Sequence, residues 1–317
     1  MIAPGSSIER RDLLGLLSAE ELGAWREPRP RELIVDLMGP WLQIAVAVGA
    51  AVLVPHPVVL ALDCFLIAGA LHGINCITHE FAHRLVLPRR PRWNDFLGAW
   101  CFAAPGGLPF GLYRSRHFEH HRRVGTADDT KLLYQRDFSG WRMGYEVVLG
   151  LGGFDYFWQV VSVLRRKSAG DPKGVRQFLG DIVPVMVVQA LIAAVLIVAV
   201  GFWVYLLLWP WPLVAATLFG KLRSTVEHTP MRAEWEQAPG SPYFRHTEAP
   251  VVRSVIPTRF ERLFLSKVNF NYHREHHLWP GLSYQYLPGA YEKLRLHLGE
   301  PVARGYLGKL VEFARGA

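Results

Sequence analysis

Residues 182–220 read IVPVMVVQALIAAVLIVAVGFWVYLLLWPWPLVAATLFG, a run of 39 residues without Asp, Glu, Lys or Arg. A transmembrane helix needs about 20 predominantly apolar residues. The run is therefore long enough for two crossings of a bilayer, with Gly201 near the turn between them. A soluble protein would have to bury the whole run in its core, which its length makes unfavourable. The run predicts a hairpin of two membrane-spanning helices.

A second pair of apolar runs comes earlier in the chain. Residues 37–62 and 64–79 contain no charged residue, and Pro55-His56-Pro57 marks a turn between two helices. A shorter charge-free stretch, residues 96–113, is rich in Gly and Pro and is predicted to be a re-entrant or interfacial segment. We therefore predict an all-α integral membrane protein built from two helical hairpins. Its four spans are predicted at residues 37–55, 58–80, 182–201 and 204–228.

The distribution of charge predicts the orientation of these spans. The chain has 35 Lys and Arg residues against 27 Asp and Glu residues, a net charge of +8. Neither predicted hairpin turn contains Lys or Arg, so the basic residues lie towards the opposite side, with both termini. Lys and Arg favour the cytoplasmic side of membrane proteins. We predict a cytoplasmic N-terminal tail (residues 1–35), a membrane domain with a cytoplasmic helical cap (36–295) and a C-terminal tail (296–317).

The basic residues also indicate which partners to expect. Arg89-Arg90-Pro91-Arg92 follows the second predicted span directly, as juxtamembrane segments that contact anionic lipid headgroups do. The sequence contains no ordered basic and aromatic module of the kind that binds nucleic acid. Membrane lipids, and not nucleic acid, are therefore the predicted partners of this surface.

The histidines are clustered in three boxes. The first is His79-x-x-x-His83, the second is His117-x-x-His120-His121, and the third is His273-x-x-His276-His277. Spacings of three and four residues put side chains on one face of a helix, so each box can direct its imidazoles at one point. All three boxes fall on the predicted cytoplasmic side, and His228 ends the fourth predicted span there.

The first box lies within HEFAH, which matches the H-E-x-x-H signature of zinc proteases. A tetrahedral zinc site needs three or four protein ligands, and it would leave at least five clustered histidines unexplained. Nine imidazoles suit two metals with four or five ligands each, and imidazole binds zinc, copper, iron and nickel. His72 is predicted to be a hydrogen-bonded buried histidine. His56 is excluded as a ligand because it lies in the far hairpin turn, and His246 and His297 are predicted to be ordinary surface residues.

The three boxes together resemble those of the membrane fatty acid desaturase family. The similarity extends to the surrounding stretches HEFAHR, RHFEHHRRVGTADDTKL and NFNYHREHHLWPGLSYQYLP, and it covers roughly residues 40–295. It implies four spanning helices below a cytoplasmic cap, a non-haem di-iron centre and an O2-dependent removal of two hydrogens from an acyl chain. The ligands that it implies are His79, His83, His117, His120, His121, His273, His276 and His277, with His228 as the ninth.

The sequence lacks two features that occur in members of that family. The acidic pair after the second box appears as Asp128-Asp129-Thr130, without the usual proline. The sequence shows no fused cytochrome b5 module, so we expect a separate electron donor of the ferredoxin or cytochrome b5 type, with its reductase.

Buried acids next to ligands can orient imidazoles, and asparagines can hold a metal-bound water. The candidates for these supporting roles are Glu80, Glu119, Glu227, Glu275, Asp128, Asp129, Asn269 and Asn271. Four aromatic residues either line a substrate tunnel or belong to the interfacial belt. They are Trp93, Trp100, Phe154 and Trp158.

Four functions are compatible with these patterns. The first is an acyl-lipid desaturase that forms a C=C bond with two iron ions and O2. The second is a di-iron hydroxylase, ketolase or epoxidase acting on a lipid or natural product, with the same ligands. The third is an intramembrane HExxH zinc protease, and the fourth is a non-catalytic metal-binding membrane protein.

Overall fold

The computed structural model describes residues 10–124, 129, 140–154, 172–237, 252–298, 302 and 304–315. Within these ranges the regular structure is helical, apart from one isolated β-bridge between Ile256 and Arg304. The helices are α1 (Arg10–Leu14), α2 (Ala19–Ala24), α3 (Pro30–Leu53), α4 (Pro57–Ala82), α5 (Pro91–Leu97), α6 (Phe110–Arg123), α7 (Trp141–Leu151), α8 (Pro172–Val200), α9 (Phe202–Leu208), α10 (Pro210–Gln237), α11 (Glu261–Phe264), α12 (His273–Leu278), α13 (Leu287–Leu298) and α14 (Tyr306–Ala314).

Four helical stretches are long and apolar enough to cross a membrane. They are Pro30–Leu53, Pro57–Ala82, Leu179–Val200 and Phe202–His228. Each overlaps one predicted span, so the prediction of four helices long and apolar enough to span a membrane is confirmed, whereas the bounds of the spans stay a prediction. The last stretch is made of α9 and α10, which are separated at Trp209, where the backbone leaves the helical region and Pro210 begins the next helix. Proline has no N–H to donate and therefore favours the first turn of a helix.

Helix α4 is the central helix, and it packs against α3 and α10. Its residues Ile67, Leu71 and Ile74 are fully buried. In contrast, α3 presents Leu42 and Val46 outward, with 65% and 61% of their surfaces exposed. An apolar face of this kind is stable against lipid but not against water. The helix that carries the first histidine box is therefore the one held most firmly by its neighbours.

The segment between α5 and α6 is fixed from the side by a glutamine. After α5 the chain makes a π-helical turn, Gly98–Ala103, and then turns into α6. The side-chain amide of Gln189 on α8 donates to the carbonyls of Ala104 and Pro105 at 2.9 and 3.0 Å, and its oxygen accepts from the indole of Trp209 at 2.8 Å. Because buried carbonyls need donors, these contacts fix the start of α6, which carries the second box. Whether residues 96–113 re-enter the membrane stays a prediction.

The segments assigned to the two tails are packed in the parts that the structure describes. Leu13 and Leu17 are buried in the main apolar cluster. Trp25 stacks on Tyr286, with ring centroids 5.7 Å apart. Helix α14 packs against α10. The division of the chain at residues 35 and 295 stays a prediction.

Candidate metal centre

The first box is held at the end of α4 by side chains from α5 and α6. Arg114 donates to the carbonyls of Ala82 and Phe81 at 3.0 and 3.1 Å, and Asn94 donates to the Phe81 carbonyl at 2.8 Å. The last carbonyls of a helix have no partner within it, so these donors stabilise the turn that carries the box. Partial burial raises the pKa of Asp95, but hydrogen bonds from Arg114 and Arg84 lower it by a larger amount. The pKa of this carboxyl group is therefore below its usual range.

The nine predicted histidines converge into two groups. In each group the potential ligand atoms all lie within 4.8 Å of one another. The five-histidine group contains His79, His83, His117, His121 and His276, and the four-histidine group contains His120, His228, His273 and His277.

The two groups differ in exposure. All members of the four-histidine group are buried, whereas His83 and His121 of the five-histidine group are partly exposed. Phe118, with 39% of its surface exposed, packs edge-on against His83 with ring centroids 5.1 Å apart. Solvent and small solutes can therefore approach the five-histidine group more easily than the four-histidine group.

The spacing of the nitrogens fits a metal in the five-histidine group. Here Nε2 of His117 lies 2.7 Å from Nε2 of His83 and 3.0 Å from Nε2 of His121, which in turn lies 3.1 Å from Nε2 of His276. A neutral imidazole has only one N–H, so facing nitrogens repel unless a proton or a cation lies between them. Imidazoles bound to one metal at about 2.0–2.1 Å have neighbouring nitrogens about 2.9–3.4 Å apart, which is close to the observed spacing.

The four-histidine group has the same spacing. Nε2 of His228 lies 3.2 Å from that of His120 and 3.3 Å from that of His273, which lies 3.2 Å from Nε2 of His277. Burial, together with the neighbouring histidines, lowers the pKa of His277 well below its ordinary value. The imidazole therefore stays neutral, the form that binds a metal.

Two buried carboxylates contact the other ring nitrogens. Glu80 Oε1 lies 2.9 Å from His79 Nδ1, and Asp129 Oδ1 lies 2.7 Å from His120 Nδ1. A carboxylate at Nδ1 keeps the proton there and leaves Nε2 as the metal-binding atom. Each group therefore contains one histidine that is oriented by a buried acid.

Two further histidines have partners on α10. Nδ1 of His228 lies 2.9 Å from the carbonyl oxygen of Ser224, and Nδ1 of His273 lies 3.8 Å from Glu227 Oε2. The first distance allows a hydrogen bond, and the second is in the range of an electrostatic contact. Sequence reasoning included Glu227 but missed Ser224, although the carbonyl four residues earlier is a usual partner within a helix.

A family model describing fatty acid desaturases matches residues 35–304. The chain belongs to the fatty acid desaturase family. Among curated proteins it is similar to the β-carotene ketolase of Paracoccus sp. (strain N81106 / MBIC 01143), at 27% identity over 129 residues. It is also similar to the β-carotene ketolase of Paracoccus sp. (strain PC1), at 26% identity over 129 residues.

Each ketolase alignment covers 34% of this chain and 53% of the relative. The chain thus spans about half the length of the curated relatives it matches. With its four apolar helices and its family, the chain is an integral membrane protein.

The remaining acids of this desaturase-family chain do not contact the histidines in the same way. Glu119 is partly exposed and pairs with Arg122 and Arg123 on α6. Glu275 is buried and accepts hydrogen bonds from Ser254 and Arg274. Burial raises the pKa of Glu275 above its ordinary value. Asp128 lies outside the described residues, as do Trp158 and His246.

The two asparagines contact the protein framework. Asn269 donates to the Tyr284 carbonyl at 3.3 Å, and Asn271 accepts from the Ser266 hydroxyl at 3.0 Å. A role for either residue in holding a metal-bound water stays a prediction.

The histidines that were not predicted to be ligands lie apart from both groups, as far as the structure describes them. His72 is buried on α4, with its Nε2 3.7 Å from the Cys76 sulfur. His56 accepts from the Val58 amide at the start of α4, and His297 is exposed on α13. No member of either histidine group comes from these three positions.

Asp129→Asn is expected to weaken metal binding by about 10- to 100-fold, the usual cost of losing a partner that orients a ligand. Asparagine cannot accept the His120 Nδ1 proton as strongly, so the ring loses its fixed orientation. The measurement is a titration of the purified protein with ferrous iron. Glu119→Gln, which changes an acid on the outer side of α6, serves as the control and should leave the affinity unchanged. Equal affinities for all three proteins would contradict the role of Asp129.

Proposed function

We propose that this chain is an acyl-lipid desaturase that holds two iron ions with its nine clustered histidines and introduces a C=C bond with O2. The observation that carries the proposal is the convergence of the three boxes and His228 into two groups of closely spaced imidazoles. Five and four nitrogen ligands suit two metal ions of the kind that imidazole binds. Iron in particular is inferred from the family.

The bound irons would supply the reaction of O2 with an unactivated C–H bond. The protein's part is to hold and orient the imidazoles, to keep water away and to admit the lipid. Glu80, Asp129 and Glu227 would fix the rings of His79, His120 and His273, in each case from the side away from the other histidines.

The position of Glu80 argues against the zinc protease. In an H-E-x-x-H protease the glutamate acts as a base on a metal-bound water. Here its carboxylate lies 2.9 Å from Nδ1 of His79, behind a potential ligand. A carboxylate in that place orients a ring and is badly placed to take a proton from water on the metal.

We also propose the membrane arrangement and the partners. Four spans form two hairpins below a cytoplasmic cap, and both termini face the cytoplasm, because neither short connection between paired spans contains a basic residue. The substrate is a lipid that enters from the bilayer. Electrons come from a separate ferredoxin or cytochrome b5 with its reductase, since O2-dependent desaturation consumes two electrons for each double bond.

A second candidate reaction is insertion of oxygen into the substrate. The named relatives are β-carotene ketolases, and the same ligands would serve a hydroxylase, ketolase or epoxidase. Desaturation uses O2, two electrons and two protons, removes two hydrogens from the lipid and releases two waters. Hydroxylation uses the same reagents, adds one oxygen to the lipid and releases one water.

The mass of the product distinguishes the two reactions. We expect cells that produce the chain, together with a ferredoxin and its reductase, to accumulate a lipid lighter by two hydrogens. A lipid heavier by one oxygen, from hydroxylation or epoxidation, would replace desaturation with the second candidate. So would a lipid that gains one oxygen and loses two hydrogens, which is the net change when two hydroxylations of one carbon and loss of water form a ketone. The matched control is a strain producing the same chain with His120→Ala and His276→Ala. Identical lipid profiles in the two strains across acyl and carotenoid substrates would contradict both reactions.

A further inference from the structure

The C-terminal helix α14 brings a tyrosine to the back of the four-histidine group. Tyr306, the first residue of α14, is fully buried, and its hydroxyl donates to Glu227 Oε1 at 2.8 Å. Glu227 is also fully buried, directly before His228 on α10. The match to the family model ends at residue 304, so Tyr306 lies outside the part of the chain that the family describes.

The two oxygens of Glu227 face different partners. Oε1 accepts from Tyr306, whereas Oε2 lies 3.5 Å from a guanidinium nitrogen of Arg223 and 3.8 Å from Nδ1 of His273. A carboxylate whose one oxygen is fixed by a hydrogen bond has little freedom to rotate. The Tyr306 hydroxyl therefore keeps the second oxygen directed towards His273, a member of the four-histidine group.

Arg223 completes this arrangement. Its guanidinium carbon lies 3.9 Å from the centre of the Phe270 ring, within the range of a cation–π contact. The Phe270 ring in turn stacks on His273, with centroids 5.6 Å apart. The face of His273 and its Nδ1 edge are thus both in contact with side chains that are themselves fixed.

The start of α14 is fixed by the segment that leads to α11. Gly305 has a φ of +79°, which favours glycine, and its amide donates to the Ile256 carbonyl at 3.1 Å. The Leu307 amide donates to Glu261 Oε1 at 2.7 Å. Contacts on both sides of Tyr306 therefore set the position of its hydroxyl.

A tyrosine that only fills the core would turn its hydroxyl to solvent or to a backbone carbonyl. Here the hydroxyl meets a buried carboxylate, which gains more from a charge-assisted hydrogen bond than a neutral acceptor does. Burial raises the pKa of Tyr306 well above its ordinary value. The hydroxyl therefore stays protonated and remains a donor.

We propose that Tyr306 is a positioning residue for the four-histidine group, acting through Glu227 on the ring of His273. The inference rests on the proposed function, because it requires a metal in that group. It assigns to the C-terminal helix a role in metal retention that the family match does not cover.

The test is the release of iron from the full chain in detergent, loaded with ferrous iron without oxygen and then mixed with a ferrous chelator. We expect two phases in the wild type, a fast one from the partly exposed five-histidine group and a slow one from the buried four-histidine group. Tyr306→Phe removes only the hydroxyl, and it is expected to accelerate the slow phase by about tenfold while the fast phase is unchanged.

Tyr291→Phe is the matched control, because Tyr291 is a buried tyrosine on α13 that packs on Tyr272. It is expected to release iron as the wild type does. If Tyr306→Phe fails to fold, Glu227→Gln tests the carboxylate through which Tyr306 is proposed to act, since the amide oxygen still accepts from Tyr306 but carries no charge for His273; an unchanged slow phase in this variant overturns the proposal as well. We expect the same faster slow phase from this variant.

The possible outcomes separate the two proposals. A wild type that retains two irons, with an unchanged slow phase in Tyr306→Phe, overturns the role of Tyr306 and leaves the proposed function intact. Acceleration of both phases together also overturns it, because that result reports a general loosening of the fold. A wild type that binds no iron contradicts the proposed function and the role of Tyr306 with it.

Discussion

Replacing His120 and His276 together by alanine is expected to remove both bound metals and to reduce lipid turnover by more than about 100-fold. This loss is larger than the loss of about 10- to 100-fold that is usual when a residue that only orients a metal ligand is replaced. His120 belongs to the four-histidine group and His276 to the five-histidine group, so the double variant weakens each group by one nitrogen. Neither replacement enlarges a side chain, so neither forces neighbouring helices apart. The loss should therefore come from the metal centre and not from the fold.

The measurement is the metal content of the detergent-purified protein, together with the lipid profile of the producing cells. His297→Ala is the control, because His297 is exposed and belongs to neither group. This variant should keep about two irons and full turnover, because it changes none of the nine clustered imidazoles that are proposed to bind the metals. One zinc that survives in the double variant and is lost in His79→Ala would instead identify HEFAH as a zinc hydrolase site.

The apolar helices could be predicted because the bilayer fixes their length. A charge-free run such as residues 182–220 has few alternatives, and the second pair of runs repeats the pattern. The interruption at Trp209 was not predicted, although Pro210 lies within the predicted fourth span and proline disrupts helix interiors.

Polar residues inside the spans were harder to place, because their partners are distant in sequence. Lys221 lies in the fourth span, buried and paired with Glu146 of α7 at 2.6 Å. Gln189 holds the turn before α6. A buried charge or amide is tolerated when a partner satisfies it, and no periodicity in the sequence reveals which partner that is.

The histidine boxes show a similar limit. Box spacing placed the imidazoles on common faces, and in each box the residues four apart fall in one group: His79 with His83, His117 with His121, and His273 with His277. Residues four apart are offset by about 40° around a helix, whereas residues three apart are offset by about 60° in the opposite sense. His120 and His276, each three residues after the first histidine of its box, accordingly fall in the other group from their neighbours.

Helical periodicity could thus have separated the members of each box. It could not show that the second box shares its four-spaced pair with the first box, because that depends on how α4, α6 and α12 meet. The supporting residues divide in the same way. Glu80 is adjacent to His79 in sequence, so its contact could be predicted. Tyr306 is 79 positions from Glu227, and their hydrogen bond depends on how α14 packs against α10.

His228→Ala is expected to remove the metal of the four-histidine group and to leave about one iron per chain. His228 stands alone in the sequence, yet its Nε2 lies between those of His120 and His273, at 3.2 and 3.3 Å. Its loss would leave three histidines around a position that four now surround. Turnover should fall as far as in the double variant, because the proposed chemistry requires both irons.

His72→Gln is the matched control for His228→Ala. His72 is also a buried histidine on a membrane helix, but its Nε2 faces the Cys76 sulfur at 3.7 Å and it belongs to neither group. It should keep about two irons. Iron per chain, measured alongside the chelator release of each variant, checks both expectations. Two irons in His228→Ala would mean that three histidines suffice in the buried group. The ninth histidine would then be a supporting residue, and the second metal would depend on Asp129 and Glu227 more than on the number of nitrogens.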